Sequence, residues 1–106
     1  MNHQEFAIEV ENSINRSKKL LIKKGSEYAT EEGNRLEQFY RAGAAQGVPP
    51  TQALMGMAMK HVTSIADMVK TPHNHTMKEF DRKIVDLRNY TFLLDALLRD
   101  TKMRIE

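Results

Sequence analysis

Glu79 and Asp86 stand seven residues apart in the run Glu79-Phe80-Asp81-Arg82-Lys83-Ile84-Val85-Asp86-Leu87-Arg88-Asn89-Tyr90. In a helix, at about 100° per residue, that spacing puts both carboxylates on one line with Lys83 and Tyr90. The same line ends in Leu93 and Leu97, so it turns inward. Ionised groups are rarely buried without a partner or a metal. Glu27, Glu31, Glu32 and Asp67 are the other carboxylates that facing helices could bring toward them. A magnesium ion wants hard oxygen ligands and commonly shares them with substrate phosphates. Carboxylates from different helices can converge in a bundle core. Lys60 could meet a phosphate as a point charge, and Asn89, three residues after Asp86, is a polar partner for the same site.

Each residue also has a plainer role. Glu31 and Glu32 suit the first turn of a helix. Glu79 completes a capping box with Thr76. Arg82 and Asp86, at i and i+4, can form a surface pair. His61 falls on an apolar helix face, where a histidine is commonly a hydrogen-bonded core residue. His73 and His75 belong to a turn. Met55, Met57, Met59 and Met68 do not form one stripe and serve adaptable packing.

The elements that must position these groups are helical throughout. Residues 3–24 read as a first helix, with Phe6, Val10, Ile14, Ser17 and Leu21 on its inner face. Its acidic residues come early, while Arg16, Lys18, Lys19, Lys23 and Lys24 come late, which favours the helix dipole. Gly25 is the expected C-cap. Thr30 is the expected N-cap of a second helix over 31–46, with Leu36, Phe39, Tyr40 and Gly43 facing inward. Thr51 is the expected cap of a third helix reaching Lys70, with Leu54, Ala58, His61, Ile65 and Met68 inward. A connector over 71–75 leads to a long helix from Thr76 to Ile105. There Phe80, Ile84, Leu87, Thr91, Leu94 and Leu98 make a heptad-like seam. No period-two strand pattern occurs. The fold class is therefore all-α, one helical domain over 1–106 resembling a four-helix bundle with a long C-terminal helix.

Composition narrows the function. The chain has no cysteine, which excludes disulfides, thiol catalysis and thiolate zinc sites. No apolar run approaches the ~20 residues of a membrane span. The polar N-terminus lacks the order of a signal peptide, so a cytoplasmic location is expected. The net charge is +2, with acidic residues among the basic ones on every helix, which argues against a nucleic-acid footprint. Phosphate-loop and zinc-protease motifs are absent. Apolar residues on several helix faces exceed what four helices can bury once, so a homo-oligomer, a dimer or higher, is expected.

Five features come in a suggestive order: a basic helix end, the Gly25-Ser26-Glu27-Tyr28 turn, Phe39 on the second helix, Lys60-His61 on the third, and Asp86-x-x-Asn89-Tyr90 on the fourth. This layout resembles small phage and prophage proteins, and through them the MazG-like, all-α nucleoside triphosphate pyrophosphatases and their nucleotide-modification-associated relatives. The resemblance implies a magnesium-dependent bundle that hydrolyses a nucleotide between its α and β phosphates. On that footing Glu27 and Asp86 hold the metal, Asn89 supports it at the cofactor, and Lys60 is the catalytic charge on the phosphate. The group's Glu-x-x-Glu pair is missing, since Glu27, Glu31 and Glu32 are followed three residues on by Thr30, Asn34 and Arg35. Its Glu-x-x-Asp pair is replaced by Asp86-Leu-Arg-Asn89. The alternative is a non-catalytic phage-type bundle that works by assembly or by binding another protein.

Overall fold

The computed structural model describes the backbone of residues 1–28 and 35–105 and the side chains of residues 1–24 and 35–102. Four helices follow one another: α1 (His3–Tyr28), α2 (Glu37–Gln46), α3 (Pro50–Met68) and α4 (Met77–Ile105), with a 3-10 turn at Pro72–Asn74. There is no strand among the described residues. The C-terminal helix is the longest, as its periodicity predicts. Its 29 residues, at ~1.5 Å each, span about 43 Å and account for the molecule's long dimension of 45 Å. Among the described residues no helix is long and apolar enough to cross a membrane.

The helix ends obey local chemistry, not always where the pattern places it. Asn2, not foreseen as a cap, accepts a 2.8 Å hydrogen bond from the Glu5 N–H through its side chain and starts α1. Gly25 does not stop this helix, which continues to Tyr28. Glycine weakens a helix interior by about 1 kcal/mol but leaves the helical hydrogen bonds possible. Thr30, the expected cap of α2, lies outside the described residues, as do Glu31 and Glu32. Within the described chain α2 begins only at Glu37, after a turn at Arg35 and Leu36.

The α2–α3 junction is tight. Gly47 takes a left-handed conformation (φ 69°) and the Val48 N–H donates to the Gly43 carbonyl at 2.9 Å, the Schellman way of closing a helix. Thr51 does not cap α3. Pro49 holds the cap position and Pro50 is the first helical residue, where a missing N–H costs nothing. Thr76 does cap α4, accepting the Glu79 N–H at 3.1 Å. The Glu79 carboxylate turns to His75 Nδ1, 3.1 Å away.

Phe39, Leu54 and Leu97 form the buried core, with Leu36, Tyr40, Met57, Tyr90, Leu93 and Leu94 packed around them. It sits where α2, α3 and α4 meet. Tyr40 fastens α2 to the end of α4 by donating its hydroxyl proton to Asp100 at 2.6 Å. The inner faces expected for α2 and α3 are the observed ones. Those of α1 and α4 hold in part: Ser17 is buried and Leu21 half-buried on α1, and on α4 the inward-turning line ends in the buried Leu97, with Tyr90, Leu93 and the seam's Leu94 packed on the core. On α4 the buried residues are Val85, Asn89 and Leu97, while Ile84 and Leu98 of the heptad-like seam are exposed. On α1, Phe6, Val10 and Ile14 are exposed, while Ser17 is fully buried against α4.

Two glycines read oppositely. A Cβ on Gly43 would come within 2.7 Å of the Val48 carbonyl oxygen and 3.0 Å of the Pro50 nitrogen, both backbone atoms. A Cβ on Gly56, in the middle of α3, would meet nothing within 4 Å among the described residues, so its helix cost of about 1 kcal/mol is not offset by a close approach there. Gly43→Ala should therefore destabilise the fold by about 1–3 kcal/mol in urea unfolding. An unchanged midpoint would show that the α2–α3 corner can open without strain.

Candidate functional site

The site begins with the contact that lays α1 on α4. Ser17 is fully buried, and its small side chain lets the two helices approach. Arg88 on α4 donates through Nη1 to Ser17 Oγ at 2.8 Å and to the Ser13 carbonyl at 3.1 Å. Beside it Arg16 binds Glu9 at 2.8 Å and Ser13 Oγ at 2.9 Å, with Asp81 of α4 at 3.9 Å. The hydrogen bond from Arg16, and then its charge, hold the Glu9 carboxyl below the ordinary value of 4.5. The same hydrogen bond raises Arg16. This polar seam fixes which residues of α1 continue toward α2 and α3.

One turn further on, a cavity of about 80 Å³ opens among all four helices. Leu20, Leu21 and Lys24 line it from α1. Gln38 and Phe39 of α2, and Arg35 just before that helix, form a second side. His61 comes from α3, and Asp86, Asn89, Tyr90 and Leu93 from α4. Its volume is well above the ~10–15 Å³ that one water needs. It is well below the ~300 Å³ of a pocket that encloses a whole drug-sized ligand.

The polar groups here are under-used. Asn89 is 6% exposed, and its Oδ1 is buried with no hydrogen-bond partner among the described residues. His61 Nδ1 is in the same condition, with its ring tilted at 42° against Tyr90, centroids 5.3 Å apart. Buried polar atoms are nearly always paired, so these two call for a water or a ligand group. Asp86 does not pair with Arg82. Neither it nor Lys24 is in an ion pair among the described residues.

The structure thus brings Asp86 and Asn89 to one cavity. The side chain of Glu27 lies outside the described residues. Lys60 is exposed and does not line the cavity, because one step along α3 turns it about 100° from His61. Glu79 is exposed and engaged with His75, and Asp67 pairs with Lys70 on the surface at 3.6 Å. Among the described residues no three His, Asp or Glu side chains cluster as a metal site. Asp86 and Asn89 Oδ1 nevertheless fit the sparse protein share of a magnesium site, which is completed by water and substrate phosphate.

Sequence reasoning missed Lys24, Arg35 and His61 as cavity residues. The signal for Lys24 was its position three and four residues after Leu21 and Leu20, on their side of the helix. In the sequence it stands among Arg16, Lys18, Lys19 and Lys23, which read together as charges favouring the helix dipole. For His61 the signal was the apolar face it shares with Leu54 and Met68. Comparison of the chain with family models, curated proteins and solved structures finds no match in any of the three.

Two outcomes follow from this geometry. Asn89→Leu removes an unpaired buried acceptor and keeps the branched shape, with the cavity beside it to take the extra bulk, so it should raise stability by about 1 kcal/mol and the thermal midpoint with it. A fall would show that Oδ1 is satisfied in solution by a water the protein needs. Glu9, depressed in the folded state, contributes stability above its ordinary value and loses it as pH falls through the lower folded value. Between pH 6 and pH 3, stability measured by urea unfolding should fall more for the natural protein than for Glu9→Gln. Parallel curves would remove Glu9 from the acid response.

Proposed function

We propose that this chain is a nucleotide-binding helical bundle whose cavity receives the ligand's phosphate end. One observation carries the reading. Two buried, unpartnered polar atoms, Asn89 Oδ1 and His61 Nδ1, share a cavity with Lys24 and Asp86, which lack ion pairs among the described residues. Lys24 and Arg35 bring positive charge to the cavity wall. Asp86 and Asn89 would hold a magnesium ion, which when bound neutralises phosphate charge. The wall of Leu20, Leu21, Phe39 and Leu93, with the Tyr90 ring, suits the less polar part of the ligand. A cavity of about 80 Å³ admits a small charged group, so the rest of the nucleotide extends beyond its mouth. This is the ligand class that the MazG-like layout implies. With one carboxylate among the described lining residues, the reading commits to binding and not to bond cleavage.

The test is calorimetric titration with nucleoside triphosphates in magnesium, with pyrophosphate release followed in parallel. Binding is expected, weakened about tenfold or more by Lys24→Ala, the scale of one charge-assisted contact to phosphate. Asp86→Asn should remove the magnesium dependence of binding. No binding at millimolar nucleotide sinks the reading. Pyrophosphate release would extend it to an enzyme.

A second reading, a module that works by association, is favoured by a separate observation. Large apolar side chains are exposed on three helices, Phe6 and Ile14 on α1, Met55 and Met59 on α3, and Phe92 and Leu98 on α4.

A further inference from the structure

α1 joins the molecule differently from the other three helices. The core residues Phe39, Leu54 and Leu97, and the residues packed on them, all come from α2, α3, α4 and the turn before α2. Among the described residues of α1 only Ser17 is buried. The bonds across to α4 are polar. Arg88 reaches Ser17 Oγ at 2.8 Å and the Ser13 carbonyl at 3.1 Å, and Asp81 lies 3.9 Å from Arg16. A second observation opposes this clasp. With α1 in place, Asn89 Oδ1 and His61 Nδ1 are buried without a hydrogen-bond partner among the described residues. Leu20, Leu21 and Lys24 are the wall that α1 gives to the cavity they share. Lifting that wall lets water reach both atoms, and a buried polar atom left unpaired is a costly one. The clasp at Arg88 and the two unpaired atoms therefore act on α1 in opposite directions.

We infer that α1 is a lid, which lifts from α4 while α2, α3 and α4 stay folded, and that this opening is how a ligand enters the cavity. Openings short of full unfolding draw on the parts of a fold with few buried apolar contacts, and α1 is that part here. Once lifted it has no packed face. An isolated helix is marginal in water, so its own amides lose protection in the same event. The opening serves whatever occupies the cavity, so its failure would leave the nucleotide reading standing.

The chain has no cysteine, so one introduced thiol can report the opening. Asn89→Cys sets it on α4 inside the cavity. A bulky aromatic disulfide reagent, too large for a space of about 80 Å³, then labels it only when the wall moves. Adding Arg88→Ala, which removes the clasp, should speed labelling about tenfold or more. Adding Ala58→Gly, which weakens α3 at a buried position, should lower the urea midpoint and leave the labelling rate unchanged. Labelling that rises with Ala58→Gly as overall stability falls means that the cavity opens only when the whole chain unfolds, and overturns the proposal. So does labelling indifferent to Arg88→Ala. Hydrogen exchange of the natural protein, with its cavity intact, is the second measurement. The amides of Ser17, Leu20 and Leu21 should exchange about tenfold or more faster than those of Leu54 and Leu97. Equal rates overturn the lid.

Discussion

Everything about the cavity depends on how α1 lies against α4, and that rests on Arg88. Its guanidinium reaches across to a buried serine hydroxyl and a main-chain carbonyl. A hydrogen bond from a charged group is worth more than a neutral one, and leaving such a donor without an acceptor costs the full desolvation penalty. Ser17 is therefore demanded twice, by its size and by its oxygen. Alanine there would keep the close approach and leave the guanidinium under-satisfied. Leucine would keep the apolar face and push α1 away. With α1 held at Ser17, its next turn carries Leu20, Leu21 and Lys24 to the core cluster of α2, α3 and α4, and the cavity is the space left between.

The molecule has two regions of different character. The Phe39–Leu54–Leu97 cluster is apolar, closed and bounded by tight corners such as Gly43 against Val48 and Pro50. The α1–α4 contact is polar, small and half exposed, with no buried large side chain among the described residues of α1. Hydrophobic burial near 25 cal/mol per Å² thus favours the three-helix part. The α1 attachment relies on directional bonds that salt and acid can weaken. A ligand in the cavity would touch both regions, so its binding would add to the weaker attachment.

Helix type, the inner faces of α2 and α3, and the Thr76 cap were legible because each follows from periodicity or from one local hydrogen bond. The joint position of Asp86 and Asn89 was legible for the same reason, a spacing of three on one helix. The inner face of α1 was legible only at Ser17 and Leu21. Periodicity names an apolar face but cannot say whether another helix lies there to cover it, and Phe6, Val10 and Ile14 stay exposed among the described residues. The core line of α4 was misplaced because its centre is polar. Asn89 is buried on neither apolar line: the core takes the line ending in Leu93 and Leu97, and of the heptad-like seam Ile84 and Leu98 stay exposed. Lys24 was hidden by its neighbours, since a lysine after Arg16, Lys18, Lys19 and Lys23 reads as one more solvated charge.

The charge at the cavity bears on what the layout's resemblance implies. A magnesium hydrolase of that kind gathers carboxylates, and the ion inverts their repulsion into binding. Here the described lining has Asp86 as its one carboxylate, beside Lys24, Arg35 and His61. On the proposed reading Lys24 would draw a phosphate without an ion, and any ion would be held in large part by the ligand's own oxygens. Affinity for an anion and power to cleave it then come apart. Cleavage needs groups that bind the transition state better than the ground state. On the proposed reading, the cavity's described residues would bind charge already present on the phosphate, which is retention of a ligand and not its turnover.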